Sequence, residues 1–240
     1  MRVNADAADR VVVALDCSRT EALRLGRELA GTVGWVKVGM TLFYACGPDI
    51  VDYLRGLGFK VFLDLKLFDI PHQVRGAARS AVACGADMLS IHGLGGADMV
   101  SAAREGASSV ERTSPCDIVA ITVLTSMDQT CANSVGLADP IASEVARLAS
   151  LACANGANGI VCSPNEADTM RALLGPAAQI VCPGVRPAGA ELGDQSRVAT
   201  PAQAIERGAS RIVVGRPITG SDEPVAAARS IVAEVASALA

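Results

Sequence analysis

Phe62-Leu63-Asp64-Leu65-Lys66-Leu67-Phe68-Asp69-Ile70-Pro71 decides how this chain is read. The run is apolar apart from two carboxylates and one ammonium. In an extended strand, successive side chains point to opposite faces, so Asp64 and Lys66 share one face while Leu63 and Leu65 share the other. Charges on a buried face are costly unless they are paired. Lysine is also scarce, occurring only as Lys37, Lys60 and Lys66, while arginine supplies the remaining positive charge. Lysine kept at this point suits chemistry that needs a compact ammonium able to release a proton. A strand-end ion pair with no chemical role accounts for the spacing as well.

Outward from this strand, short Val/Ile/Leu runs alternate with longer Ala/Arg/Glu-rich patterns. Strands are expected at Val11–Leu15, Trp35–Val38, Lys60–Leu65, Met88–His92, Ile118–Val123, Gly159–Cys162, Gln179–Cys182 and Arg211–Val214. Helical patterns fall between them at Thr20–Ala30, Pro48–Leu57, Gln73–Ala83, Ala97–Ser108, Pro140–Ala154, Pro164–Leu173 and Pro201–Arg207, and Glu223–Leu239 closes the chain. Continuous apolar strands alternating with helices imply a parallel sheet buried on both faces. A doubly wound open sheet accommodates them, but eight regular units at this length favour a single-domain (β/α)8 barrel. No Pro/Gly/Ser-rich linker divides the chain. Ser18 or Thr20 is suited to cap the first of these helices, and Ser163-Pro164-Asn165-Glu166 reads as a cap with an early-helix proline, Glu166 serving the helix start.

Composition excludes several classes. Half of the 240 residues are hydrophobic but only 3% are aromatic, so the core is built from small aliphatic side chains. A net charge of -4 argues against nucleic-acid binding, which needs a basic field. The eight cysteines form no CxxC and have no metal-ligand spacing with His72 or His92. They read as free thiols in a reducing compartment. The polar first ten residues lack the apolar segment of a signal peptide, and no apolar run reaches membrane-spanning length. The expectation is a soluble cytoplasmic protein without membrane contact.

In a (β/α)8 barrel, function gathers at the C-terminal ends of the strands. Asp16 ends the first strand, Lys37 lies on the same face as Trp35 in the second, Asp64 and Lys66 end the third, and His92 ends the fourth. Thr125 and Ser126 follow the fifth, Arg186 the seventh, and Gly215-Arg216 the eighth. Asp16, Lys37, Asp64 and Lys66 on adjacent strands would form an alternating charge array. Gly215-Arg216-Pro217 suits an anion: an approachable backbone beside a planar guanidinium. A surface turn would read the same way. His92 could serve as an acid or base, but a satisfied core histidine is the expected reading, and His72 is expected as a loop residue. Gly93 through Gly96 is too loose for a nucleotide fingerprint and reads as a loop beside the site. The irregular segment from Pro183 to Thr200 has the length of a lid.

These residues carry a strong resemblance to the orotidine 5'-phosphate decarboxylase family, from Val13-Ala14-Leu15-Asp16 to Val214-Gly215-Arg216-Pro217-Ile218-Thr219. Its most specific parts are Asp64-Leu65-Lys66-Leu67-Phe68-Asp69-Ile70-Pro71, Thr122-Val123-Leu124-Thr125-Ser126-Met127, and Pro183-Gly184-Val185-Arg186-Pro187 with Gly193-Asp194-Gln195. The resemblance implies loss of CO2 from C6 of orotidine 5'-phosphate to give UMP in pyrimidine biosynthesis, with neither cofactor nor metal. It implies Lys66 as proton donor, Asp64 and Asp69 flanking the carboxylate, and Asp69 reaching in from the partner of a homodimer. Asp16 and Lys37 would address the ribose, with Lys37 part of the charge array. Thr125 and Ser126 would lie near the pyrimidine, Gln195, Gly215 and Arg216 would hold the phosphate, and Arg186 belongs to the mobile loop. The family commonly has Asn-Thr after Ile-Pro, where this chain has His72-Gln73, so the substrate contact falls to Gln73. A turn at Leu67 and Phe68 would leave Leu67, Phe68 and Ile70 poorly placed in water and available to a subunit interface. A metal- or Schiff-base-dependent sugar-phosphate enzyme of the same superfamily, and a phosphate-ligand binding barrel without activity, stay open.

Overall fold

The computed structural model describes residues 4–187 and 199–240. Its strands are β1 (Val11–Ala14), β2 (Trp35–Gly39), β3 (Lys60–Leu67), β4 (Met88–His92), β5 (Asp117–Ile121), β6 (Gly159–Val161), β7 (Gln179–Cys182) and β8 (Arg211–Val214). All neighbours are parallel, and Val12 pairs with both Trp35 of β2 and Val213 of β8. That double pairing closes the sheet into an eight-stranded barrel and rules out the open alternative.

Around the strands run α1 (Ala5–Arg10), α2 (Arg19–Leu29), α3 (Met40–Cys46), α4 (Asp49–Gly56), α5 (Pro71–Ala83) and α6 (Gly96–Ser108). They are followed by α7 (Gln129–Ser134), α8 (Ile141–Ala154), α9 (Ala167–Leu174), α10 (Pro201–Glu206), α11 (Arg216–Thr219) and α12 (Pro224–Ala238). Strand alternation sorts the core into two layers. Val12, Trp35, Phe62, Met88, Val119, Val161, Val181 and Val213 form the packed interior of the barrel. Their neighbours Val13, Val36, Leu63, Leu89, Ile118, Ile160, Ile180 and Ile212 face the helices. Asp16, Lys37, Asp64 and Lys66 therefore share the inward parity.

Local chemistry explains most boundaries. The Ser18 hydroxyl accepts from the Glu21 N–H and starts α2, so Ser18 and not Thr20 is the cap. Thr200 and Gln203 form a reciprocal capping box on α10. Pro71 occupies the first turn of α5, where its missing N–H costs nothing, and His72 is thereby helical and not a loop residue. Gly93–Gly95 forms a 3-10 turn leading directly into α6. α9 begins three residues later than expected. Ser163-Pro164-Asn165-Glu166 is a turn in which the Glu166 carboxylate accepts from the Ser163 N–H, so Glu166 does serve the helix start.

Helices α1, α3, α7 and α11 lie outside the expected patterns. α1 secures the N-terminal mouth of the barrel. Asp9 accepts from the indole N–H of Trp35 at 3.0 Å and from Lys60 at 2.9 Å. The Arg211 guanidinium stacks 4.4 Å from the same indole. Polar closure at this end leaves the C-terminal face for ligand.

Candidate active site

At the C-terminal face a cavity of about 450 Å³ is lined by Asp16, Lys37, Asp64, Lys66, Thr125, Arg186, Gly215 and Arg216 together with apolar side chains and Thr219. Its floor is the inner layer of the barrel, Ala14, Phe62, Ile121, Val161 and Val213. Asp16, Lys37, Asp64 and Lys66 collect on the side of β1, β2 and β3, and Arg186 and Arg216 follow β7 and β8. The opposite wall, from Ile121, Val123 and Leu124 to Pro183, is mostly apolar, with Thr125 in it and Arg186 beyond it.

The charged side is a continuous chain. Lys37 Nζ lies 2.8 Å from Asp16 Oδ1 and 3.4 Å from Asp64 Oδ2, and Lys66 Nζ lies 2.8 Å from that same Asp64 oxygen. The expected alternation of sign across adjacent strands is thus realised in space. Lys37 and Asp64 are 8% exposed each, whereas Asp16 stands at the solvent edge. Burial by itself would push the Asp64 carboxyl upward. The Lys37 and Lys66 ammoniums, with hydrogen bonds from Lys66 and Ser90, outweigh it and hold the carboxyl below the usual carboxylate range. Asp64 is consequently ionised at neutral pH. Gly39 supports this geometry, because a Cβ there would meet Asp16 Oδ1 at 2.6 Å and Lys37 Nζ at 3.1 Å.

Strand β3 runs two residues further than expected, to Leu67, and its pairing with β4 slips between Leu63 and Leu67. Lys66 lies in this bulge with φ 50°, the left-handed region. Leu67 is a strand residue packed on the outer core, not part of an exposed turn. Phe68 and Ile70 do stand in water, 61% and 62% exposed. Asp69 between them is exposed, and among the described residues its carboxylate accepts only from the N–H of Ile70.

The fully buried Ser90 hydroxyl bonds Asp64 and the Lys66 backbone, a partnership the sequence reading missed. His92 departs from expectation. Its ring packs on Phe68 with centroids 5.4 Å apart, and its buried Nδ1 has no partner among the described residues. Burial first, then the Lys66 charge, lowers its pKa below the ordinary histidine value, so it is neutral at pH 7. Ser126 is exposed outside the cavity lining, and Gln73 is exposed on the first turn of α5. Gln195, with most of the proposed lid, lies outside the described residues. Among the described residues no three His, Cys, Asp or Glu side chains are grouped to hold a metal ion, and no helix is long and apolar enough to cross a membrane.

Residues 9–231 match the family model for orotidine 5'-phosphate decarboxylase and the HUMPS proteins. The chain belongs to that family. It is 52% identical over 227 residues to orotidine 5'-phosphate decarboxylase of Anaeromyxobacter sp. (strain K), covering 94% of this chain and 98% of the relative. Identity to the Halorhodospira halophila protein of the same name is 47%, covering 95% and 97%. Among solved structures, orotidine 5'-phosphate decarboxylase from Lactobacillus acidophilus superposes with a TM-score of 0.84 at 36% identity, covering 95% of this chain and 99% of that one. The match spans both the Asp64–Pro71 segment and Gly215-Arg216, so the cavity residues Asp64, Lys66, Gly215 and Arg216 all fall within it.

Proposed function

We propose that the protein decarboxylates orotidine 5'-phosphate to UMP and CO2 without a cofactor, Lys66 delivering the proton to C6. The observation that carries this reading is the Lys37–Asp64–Lys66 cluster, with an ionised buried carboxylate 2.8 Å from an ammonium, facing an apolar wall. Family membership and relatives of that name over nearly the whole chain support it.

Breaking the bond from C6 to the carboxylate carbon releases CO2 and leaves an electron pair on C6. Lys66 Nζ–H stabilises that charge as it develops and then transfers its proton, giving UMP and a neutral amine that solvent reprotonates. This interaction strengthens only on the way to the transition state, so it accelerates the reaction and does not merely tighten binding. Asp64 holds the ammonium in place and opposes the substrate carboxylate, a repulsion relieved as CO2 departs.

Asp16 and Lys37 address the ribose, and Thr125 with the apolar wall faces the pyrimidine. Gly215 and Arg216 take the phosphate. A Cβ on Gly215 would meet only the Ala14 Cβ, at an ordinary 3.6 Å, so packing within the chain does not demand glycine there. The open backbone there suits close approach by an anion.

The site is completed by a second chain. Met40, Tyr44, Phe68, Ile70 and Leu94 are exposed apolar residues following β2, β3 and β4 on one rim of the barrel. A symmetric dimer through this rim would bury them and carry Asp69 into the partner's cavity.

Incubating purified, metal-stripped protein with orotidine 5'-phosphate tests the function. Loss of the substrate's ultraviolet absorbance with matching CO2 release, unchanged by chelator, is expected. Binding without turnover, or activity abolished by chelator, would remove this reading.

A further inference from the structure

We propose that Ser90 is a positioning residue for the decarboxylation, setting the Lys66 ammonium and the Asp64 carboxylate in register through one hydroxyl. The inference rests on the proposed function and assigns a role to a residue that does not line the cavity. Ser90 lies on β4, fully buried, between Leu89 and Ile91, where an unpartnered hydroxyl would be costly. Its Oγ donates to Asp64 Oδ1 at 2.8 Å and accepts from the Lys66 backbone N–H at 2.9 Å. One hydroxyl thus uses its single donor and one of its acceptor sites on the two residues of the ion pair.

The backbone explains why such a clasp is needed. Between Leu63 and Leu67, β3 advances four residues while β4 advances two, so the ladder cannot supply regular partners across the bulge. A buried backbone N–H must find a partner elsewhere. For Lys66 that partner is Ser90. Lys66 also holds a left-handed φ of 50°, which a non-glycine residue keeps only where its surroundings over-determine it. Occupying Asp64 Oδ1 with Ser90 reserves Oδ2 for Lys66 at 2.8 Å and Lys37 at 3.4 Å. Loss of the hydroxyl would free the bulge to relax and the carboxylate to rotate, moving Nζ from its aim without removing any group that touches substrate. Misplacement of a reacting group lowers turnover more than binding.

The experiment compares wild type with Ser90→Ala, Ser90→Cys and Ser90→Thr, measuring kcat, KM for orotidine 5'-phosphate and the affinity for UMP. Wild-type turnover must be present, and its absence would refute the proposed function itself. Ser90→Ala is expected to lose kcat by about 10–100-fold, the range for a hydrogen bond to a charged group. KM and UMP affinity should stay within about threefold, since no group that touches the ligand is removed. Ser90→Cys, a near-isosteric replacement with a weak donor, should lose kcat in the same direction and carries the test if the alanine variant does not fold. Ser90→Thr returns the hydroxyl and should recover most of kcat. A folded alanine or cysteine variant with wild-type kcat overturns the proposal. So does a parallel loss of kcat and UMP affinity, or a threonine variant no better than alanine.

Discussion

Replacing Asp64 by Asn removes one charge and almost no volume from the most connected point of the site. Asp64 is 8% exposed and holds Lys66 at 2.8 Å, Lys37 at 3.4 Å and the Ser90 hydroxyl at 2.8 Å. With an amide there, Lys37 keeps Asp16, but no carboxylate separates the two ammoniums. Removing one partner of a buried pair typically costs about 3–5 kcal/mol, and partial exposure of Lys66 at the cavity mouth reduces this to about 2–4 kcal/mol. At roughly 2–4 °C per kcal/mol for a chain of this length, Tm should fall by about 4–16 °C at pH 7. The sign of the pH dependence follows from the lowered carboxyl pKa. Stabilisation by Asp64 is complete above the unfolded carboxylate value of 3.8 and is lost as pH falls through the lower folded value. The gap between wild type and variant should therefore close in strong acid. Thermal unfolding followed by circular dichroism at a series of pH values measures both. An unchanged or higher Tm at pH 7 would show that desolvation of the pair outweighs its attraction, and the electrostatic account of the site would be wrong.

Three other perturbations separate the remaining roles. Mixing inactive Lys66→Ala and Asp69→Ala under verified subunit exchange should restore about a quarter of wild-type activity, since half the dimers then hold one intact site of two; no recovery would place Asp69 in its own chain's site. Arg216→Ala should weaken UMP by roughly 2–5 kcal/mol while hardly changing uridine, as for loss of one partner from a desolvated charge pair; calorimetric titration showing equal losses would make Arg216 structural. Gly39→Ala should displace Asp16 from Lys37, because the added Cβ would stand 2.6 Å from Asp16 Oδ1, and weaken UMP and uridine alike; unchanged uridine affinity would detach Asp16 and Lys37 from the ribose.

The inward placement of Asp16, Lys37, Asp64 and Lys66 was legible in the sequence because strand parity is a local property. Closure of the barrel was legible because eight similar strand-helix units at this length have few other arrangements. The bulge at Lys66 was not, since register between neighbouring strands leaves no mark on the periodicity of either one. Ser90 was missed for the same reason, although a lone hydroxyl inside Met88–His92 was a visible irregularity. The lack of a partner for His92 Nδ1 among the described residues was not legible, because a hydrogen-bond partner depends on tertiary packing and not on the strand pattern. α1, α3, α7 and α11 run only four to seven residues, too short to display a helical period. They form through local caps such as Asn4 and Asp128 and through tertiary contacts such as Asp9 with Trp35. Thr219 joined the cavity because α11 folds back from Gly215, a turn that its short sequence does not announce.

Turnover of orotidine 5'-phosphate by Lys66→Ala shows whether Lys66 is the proton source at C6. Asp64 would retain Lys37 and Ser90, so the variant should fold and bind UMP. Its rate should fall by at least about 10²–10⁴-fold, the usual cost of losing a general acid, with further loss from the missing charge. A folded Lys66→Ala protein that turns over substrate near the wild-type rate would contradict the account.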